Sequence, residues 1–181
     1  IMVEHSYGKL PPVPCFPGQL SQVLMNIFTS SIDALLSQAQ LSQLQGDKVS
    51  LSNAESYATH GSDIPSEPLK IVVTTCVRTA SQEVEDHLEE SRWVAIIISD
   101  NGSGLPPERR AQILESFSTQ SRYVKQTGLA LSYQIITAKH GGKFWMRSIH
   151  ATDPEAMELG HPTGTEFEIL LPLTTSEKGA L

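Results

Sequence analysis

Two runs, LKIVVTTCVRTA at residues 69–80 and RWVAIIISD at 92–100, are β-branched and almost continuously apolar. A strand with one face in water alternates between apolar and polar residues, whereas one without alternation is covered on its faces. The chain therefore needs a sheet with these two strands near its middle, and helices to lie over it. The charged SQEVEDHLEES between them (81–91) reads as a hairpin loop.

The covering helices are readable from spacing. Leu20, Val23, Leu24, Ile27, Ser31 and Leu35 recur at three- and four-residue intervals and predict a helix over about residues 17–44, with Pro17 and Gly18 suited to its first turn. Gln22, Asn26, Ser30 and Asp33 form a polar stripe on the same helix, which by itself is an ordinary solvated face. PPERRAQILESF (106–117) predicts a short helix, and GLALSYQIITAKHGG (128–142) another, closed by His140 and a glycine pair. IMVEHSYG (1–8) opens as a strand and KLPPVPCFPG (9–18) is a proline-rich loop. KFWMRSIHA (143–151) and GTEFEILLPL (164–173) predict a closing strand pair joined by the polar loop 152–163. Residues 45–68 read as a flexible insertion and 174–181 as a tail, leaving one domain over 1–173. Strands that follow one another at the end of the chain, with helices not alternating throughout, predict an α+β two-layer sandwich. Its one mixed sheet carries helices on one face.

Composition removes several function classes. With 181 residues, 39% of them hydrophobic and 18% charged, the chain is an ordinary globular domain. A net charge of -7 argues against reading nucleic-acid phosphates, which needs clustered Lys and Arg. No apolar run approaches the roughly 20 residues of a membrane span. Two cysteines, Cys15 and Cys76, without CxxC spacing suit a reducing cytoplasm and apolar packing better than a disulfide or a metal site.

The stretch SDNGSGLPPE (99–108) raises a chemical question. An acid, Asp100, ends a buried strand and is followed by Gly102 and Gly104 at alternate positions. Read alone, Asp-Asn-Gly and Ser-Gly are turn chemistry. Three other windows change that reading: QLSQVLMNIFTSSIDAL in the long helix, ESFST with the loop and TGLALSYQIITAKHGG behind it, and GTEFEILLP opening the last strand. In this order and spacing the four resemble the ATP-binding catalytic domain of sensor histidine kinases, part of the gyrase, Hsp90, histidine kinase and MutL superfamily. The resemblance covers residues 1–173.

It implies a Bergerat-type fold with a mostly antiparallel sheet. Asp100 would accept a hydrogen bond from the adenine amine, and Gly102 and Gly104 would let the backbone approach base and sugar. Thr165 would support the adenine contact. A carboxylate in such a place rejects guanine, which presents a carbonyl there. In relatives the helix reads N-L-x-x-N-A and its second Asn binds magnesium; here the two positions are Asn26 and Ser30, so the resemblance assigns them to Mg, with Asn26 also as the candidate catalytic residue. The family's second glycine run, which cradles phosphates, is reduced here to KQTGLALSYQ, where only Gly128 survives and Thr127 and Gly128 would offer backbone N–H donors. Residues 118–127 would form the ATP lid, with Arg122 and Lys125 as its positive charges.

The implied function is ATP-dependent protein-histidine kinase chemistry of a two-component system. None of His5, His60, His87, His140, His150 or His161 has the H-E-x-x-x-P-like context of a phosphoacceptor, so the implied acceptor lies on a separate dimerisation hairpin, with a response regulator downstream. The alternative is a degenerate module, its asparagine and glycine boxes changed, which acts by docking. A clamp ATPase is disfavoured, because the long helix has no Glu between Pro17 and Leu44 to activate water.

Overall fold

The computed structural model describes residues 1–49, 68–84, 87–118 and 127–173. Five strands form one sheet: β1 (Met2–Tyr7), β2 (Lys70–Val84), β3 (His87–Asp100), β4 (Lys143–Ile149) and β5 (Gly164–Leu173). Their order across the sheet is β1-β2-β3-β5-β4. Only β1 runs parallel to its neighbour, with Met2 opposite Lys70; the other three pairings are antiparallel. The two apolar runs occupy the interior of the sheet as β2 and β3, as their lack of alternation requires.

Register sorts the side chains. Ile71 pairs with Asp100, Val73 with Ile98, Ile98 with Phe167, and Phe144 with Ile169, so these residues share one face. That face is covered by α1 (Pro17–Val49), α2 (Pro107–Ser118) and α3 (Gly128–Gln134). Val23, Ile27 and Leu35 of α1, Ile113 of α2 and Leu129 of α3 meet those strand residues in one core. Phe117 stacks on Tyr133 at 4.9 Å and meets Phe144 edge-on at 5.6 Å, joining α2 and α3 to β4. The opposite face carries no helix among the described residues. There Arg78 of β2 pairs with Glu168 of β5 at 2.5 Å, and Lys143 Nζ lies 5.0 Å from the Trp93 ring centroid and 5.9 Å from that of Trp145.

Three expectations change. The charged segment 81–91 is mostly strand, since β2 reaches Val84 and β3 begins at His87. Antiparallel pairing continued from Ile71–Asp100 out to Val84–His87 satisfies the backbone whatever the side-chain polarity. The first helix runs five residues beyond Leu44 to Val49; residues 50–67, most of the expected insertion 45–68, lie outside the described ones. The third helix is not uniform: after Gln134 it widens into a π-helical turn, Ile135–Lys139, before Gly142 N–H turns back to Ile136 O at 2.9 Å. His140 caps that turn. Its Nε2 accepts the Phe16 N–H at 3.0 Å and its Nδ1 lies 3.0 Å from Ile135 O, so the ring bridges the proline-rich loop and the helix end. The 152–163 connection contains one short helix, α4 (Pro154–Met157). No helix among the described residues is long and apolar enough to cross a membrane.

Candidate functional site

The site is built at the strand ends where β3 hands over to α2. Asp100, the last residue of β3, points to the helix-covered face and is only 8% exposed. Its Oδ1 accepts the Gly102 N–H at 3.0 Å and the Thr165 N–H at 3.2 Å, so one bond comes from its own turn and one from the neighbouring strand. Its Oδ2 is buried and has no hydrogen-bond partner. One oxygen anchors the carboxylate, and the other is held bare.

A buried carboxylate without enough donors resists ionising. Burial raises the Asp100 carboxyl above its ordinary 3.8, and the Ser31 hydroxyl and the two N–H groups pull it back only in part. Ser31 stands in the apolar stripe of α1 at 1% exposure, and its Oγ faces the carboxylate without closing a well-formed hydrogen bond. Asp100 Oδ2 and Ser31 Oγ are thus both buried oxygens without a hydrogen-bond partner, on residues that face one another. Native interiors rarely tolerate one such atom without a reason.

Thr165 is buried beside Asp100, with its Oγ1 2.9 Å from Ser148 Oγ. Ser148 also accepts the Leu105 N–H at 2.8 Å, which ties the exit of the glycine turn to the end of β4. The glycines are demanded by the protein itself. Gly104 has φ +71, and a Cβ there would fall 2.0 Å from Ile149 O. At Gly102 a Cβ would meet Asp100 Oδ1 at 2.9 Å and the Ala34 Cβ at 3.2 Å. Neither requirement needs a ligand.

Asn26 is committed to the protein. Its Nδ2 donates to Gly128 O at 2.9 Å and to Ser132 Oγ at 3.1 Å, fastening α1 to the start of α3. Thr127 caps that start, its Oγ1 accepting the Ala130 N–H at 3.2 Å. The structure therefore brings Asn26, Thr127 and Gly128 together, and Asp100, Gly102, Gly104 and Thr165 together. Ser30 is half-buried on α1 between these groups in sequence, one residue from Ser31. Arg122, Lys125 and most of the lid 118–127 lie outside the described residues. A hollow of about 190 Å³ also opens at these strand ends, lined by Ser99, Arg147, Ile149, Thr163 and Glu166 among others. Asp100, Gly164 and Thr165 line it too, while by strand alternation the side chains of Ser99, Arg147 and Glu166 lie on the face opposite the helices.

Two partners escaped sequence reasoning. Ser31 was visible only as a hydroxyl inside an apolar stripe. Ser148 gave no signal, since a serine near the end of an exposed-looking strand is unremarkable until β5 brings Thr165 beside it.

The chain belongs to the family of histidine kinase-, DNA gyrase B- and HSP90-like ATPases, whose family model matches residues 17–175. ATP binding goes with that membership. Among its relatives is the signal transduction histidine-protein kinase/phosphatase MprB of Mycolicibacterium paratuberculosis (strain ATCC BAA-968 / K-10). It is 37% identical over 82 residues, which is 44% of this chain and 14% of that protein. The sensor kinase CckA of Brucella abortus (strain 2308) is 26% identical over 181 residues, 99% of this chain and 15% of CckA. The chain therefore spans about one-seventh of these relatives. Solved structures similar to it include a mycobacterial sensor histidine kinase MprB (TM-score 0.44, 19% identity, 94% of this chain and 83% of that one). The catalytic domain of the histidine kinase ThkA is similar too (TM-score 0.46, 18% identity, 94% and 78%).

Proposed function

We propose that this chain is the ATP-binding catalytic domain of a two-component sensor histidine kinase, working in the cytoplasm. It would serve a histidine on a dimerisation hairpin and, through it, a response regulator. The observation that carries the reading is Asp100 Oδ2, an acceptor held bare in a buried site by two bonds to its sister oxygen. An exocyclic amine is the donor such an oxygen lacks, and a guanine carbonyl in the same place would meet repulsion. Thr165, steadied by Ser148, supports the base beside it. Adenine bound at this end directs the phosphates toward α1 and α3, where Asn26, Thr127 and Gly128 converge.

The transfer itself forms a bond between the acceptor imidazole nitrogen and the γ-phosphorus. It breaks the bond from that phosphorus to the β–γ bridging oxygen, and ADP leaves with the electron pair. The protein's part is positioning and charge stabilisation. Asn26 Nδ2 is already engaged, which leaves its amide oxygen to orient a proton or a water. Ser30 and that amide oxygen are neutral donors, and the described residues contain no cluster of three His, Cys, Asp or Glu that could hold a metal. They fit magnesium only as a partial shell completed by nucleotide phosphates and water. When bound, the ion would neutralise phosphoryl charge.

Calorimetric titration with ADP and a non-hydrolysable ATP analogue, with and without magnesium, tests the reading. Micromolar binding tightened by magnesium is expected, and Ser30→Asn should strengthen the magnesium dependence. No binding by the wild type, with recovery only after Ser30→Asn and a rebuilt glycine run, would identify a module that works through protein contacts instead.

A further inference from the structure

We propose that Arg110 is a positioning residue for the nucleotide pocket, holding through Asp153 and the Ser148 carbonyl the wall against which the 100–105 turn is shaped. The inference rests on the ATP-binding reading for its functional consequence, but its structural basis is independent of it.

Arg110, on α2, is the centre of a three-way junction. Its Nη1 donates to Ser148 O at 2.6 Å and to Asp153 Oδ2 at 2.6 Å, and its Nη2 donates to Asp153 Oδ1 at 3.0 Å. The pair is the forked arrangement that gives Arg–carboxylate contacts their directionality. Asp153 is itself pinned, its Oδ2 accepting the His150 N–H at 2.8 Å at the N-terminus of α4. One guanidinium thus fixes the end of β4, the bend after it and the first turns of α2.

That junction stands directly behind the pocket. The Gly104 backbone packs so closely on Ile149 O and on the His150 Cα that a methyl group would not fit between them. Gly164, at φ +146, is equally close to Asp100 O, where a Cβ would lie at 2.1 Å. The turn, the end of β4 and the start of β5 therefore interlock through backbone, and displacement of one displaces the others. Leu105 N–H bonds Ser148 Oγ while Arg110 bonds Ser148 O, so the same residue of β4 is held from both ends of the segment leading from turn to helix. Ser148 Oγ in turn meets Thr165 Oγ1, and Thr165 N–H holds Asp100 Oδ1. Arg110 reaches the base-reading carboxylate through Ser148 and Thr165 without touching the nucleotide.

Two measurements on the same variants decide it. Arg110→Met and Asp153→Asn, the second preserving volume, are compared with wild type well below their melting temperatures. In the nucleotide-free protein, amide hydrogen exchange at Gly102 and Leu105 should accelerate about tenfold, while amides in the middle of β2 and β3 keep wild-type rates. ADP and adenosine should both weaken by a similar factor of about ten, because the disturbed end is the one facing the base. Wild-type exchange at Gly102 and Leu105 in both folded variants would overturn the proposal, as would accelerated exchange with unchanged ADP and adenosine affinity. If wild type binds neither ligand, the ATP-binding reading fails, and exchange alone still shows whether Arg110 shapes the turn.

Discussion

At the scale of single residues, Asp100 sets function against stability. Its folded value lies above 3.8, so as pH rises the unfolded chain releases this proton first. The stability supplied by a neutral Asp100 is whole below about pH 3.8 and is lost as pH climbs through the folded value. Ionising the buried group costs stability, and that cost is tolerated because an ionised Oδ2 accepts hydrogen bonds well. Asp100→Asn keeps an acceptor for Gly102 and Thr165 but turns an amide donor toward the adenine amine. It should melt at or above the wild-type temperature at pH 7 and lose ADP affinity by roughly 10- to 100-fold, read by scanning calorimetry and by titration. A lower melting temperature with intact affinity would mean that Oδ2 does not read the base. Ser31 follows the same logic: a hydroxyl in a fully buried stripe of Val23, Ile27 and Leu35 is tolerated because it faces the carboxylate.

At the scale of elements, the glycine turn and the α1–α3 contact position the pocket. Gly104→Ala must place a methyl group on Ile149 O in a left-handed conformation. A destabilisation of about 1–3 kcal/mol is expected. For a chain of this size that lowers Tm by about 2–4 °C per kcal/mol, measurable by thermal melting without nucleotide. Asn26→Ala removes two hydrogen bonds between α1 and α3 and should cost about 1–2 kcal/mol in the nucleotide-free protein. Unchanged stability would return Asn26 to a purely catalytic or metal-binding role. The boundaries of these elements were legible in part. Apolar spacing placed α1, and proline placed the start of α2. The far ends of β2 and β3 were not legible, because charged residues in 81–91 gain strand structure from pairing with one another, and that pairing has no local signature.

At the scale of the whole molecule, the one-sided sandwich is joined at its pocket end by the Arg110–Asp153 pair. Arg110 beside Asp153, with the His150 N–H, lowers the Asp153 carboxyl to about 2 from 3.8. Stability from this pair is present above pH 3.8 and is lost as pH falls toward 2. Acid titration of the unfolding midpoint should therefore be shallower between pH 4 and 2 in Arg110→Met than in wild type. Equal slopes would show that the pair contributes nothing to acid resistance.

Local chemistry in the chain determined what can be read by spacing: two unbroken β-branched runs that need the middle of a sheet, an amphipathic helix that covers them, and an acid before two glycines. The resemblance carried by those windows reached the family and named Asp100, Gly102, Gly104 and Thr165 before any contact was known. Tertiary structure alone decided which oxygen of Asp100 is bare, why Gly104 tolerates no side chain, and that Ser31, Ser148, Arg110 and Asp153 support the site. Most of those facts depend on contacts between residues far apart in the chain, such as Ser31 with Asp100 or Arg110 with Asp153. Periodicity describes a segment's own faces; it does not specify which distant segment each face will meet.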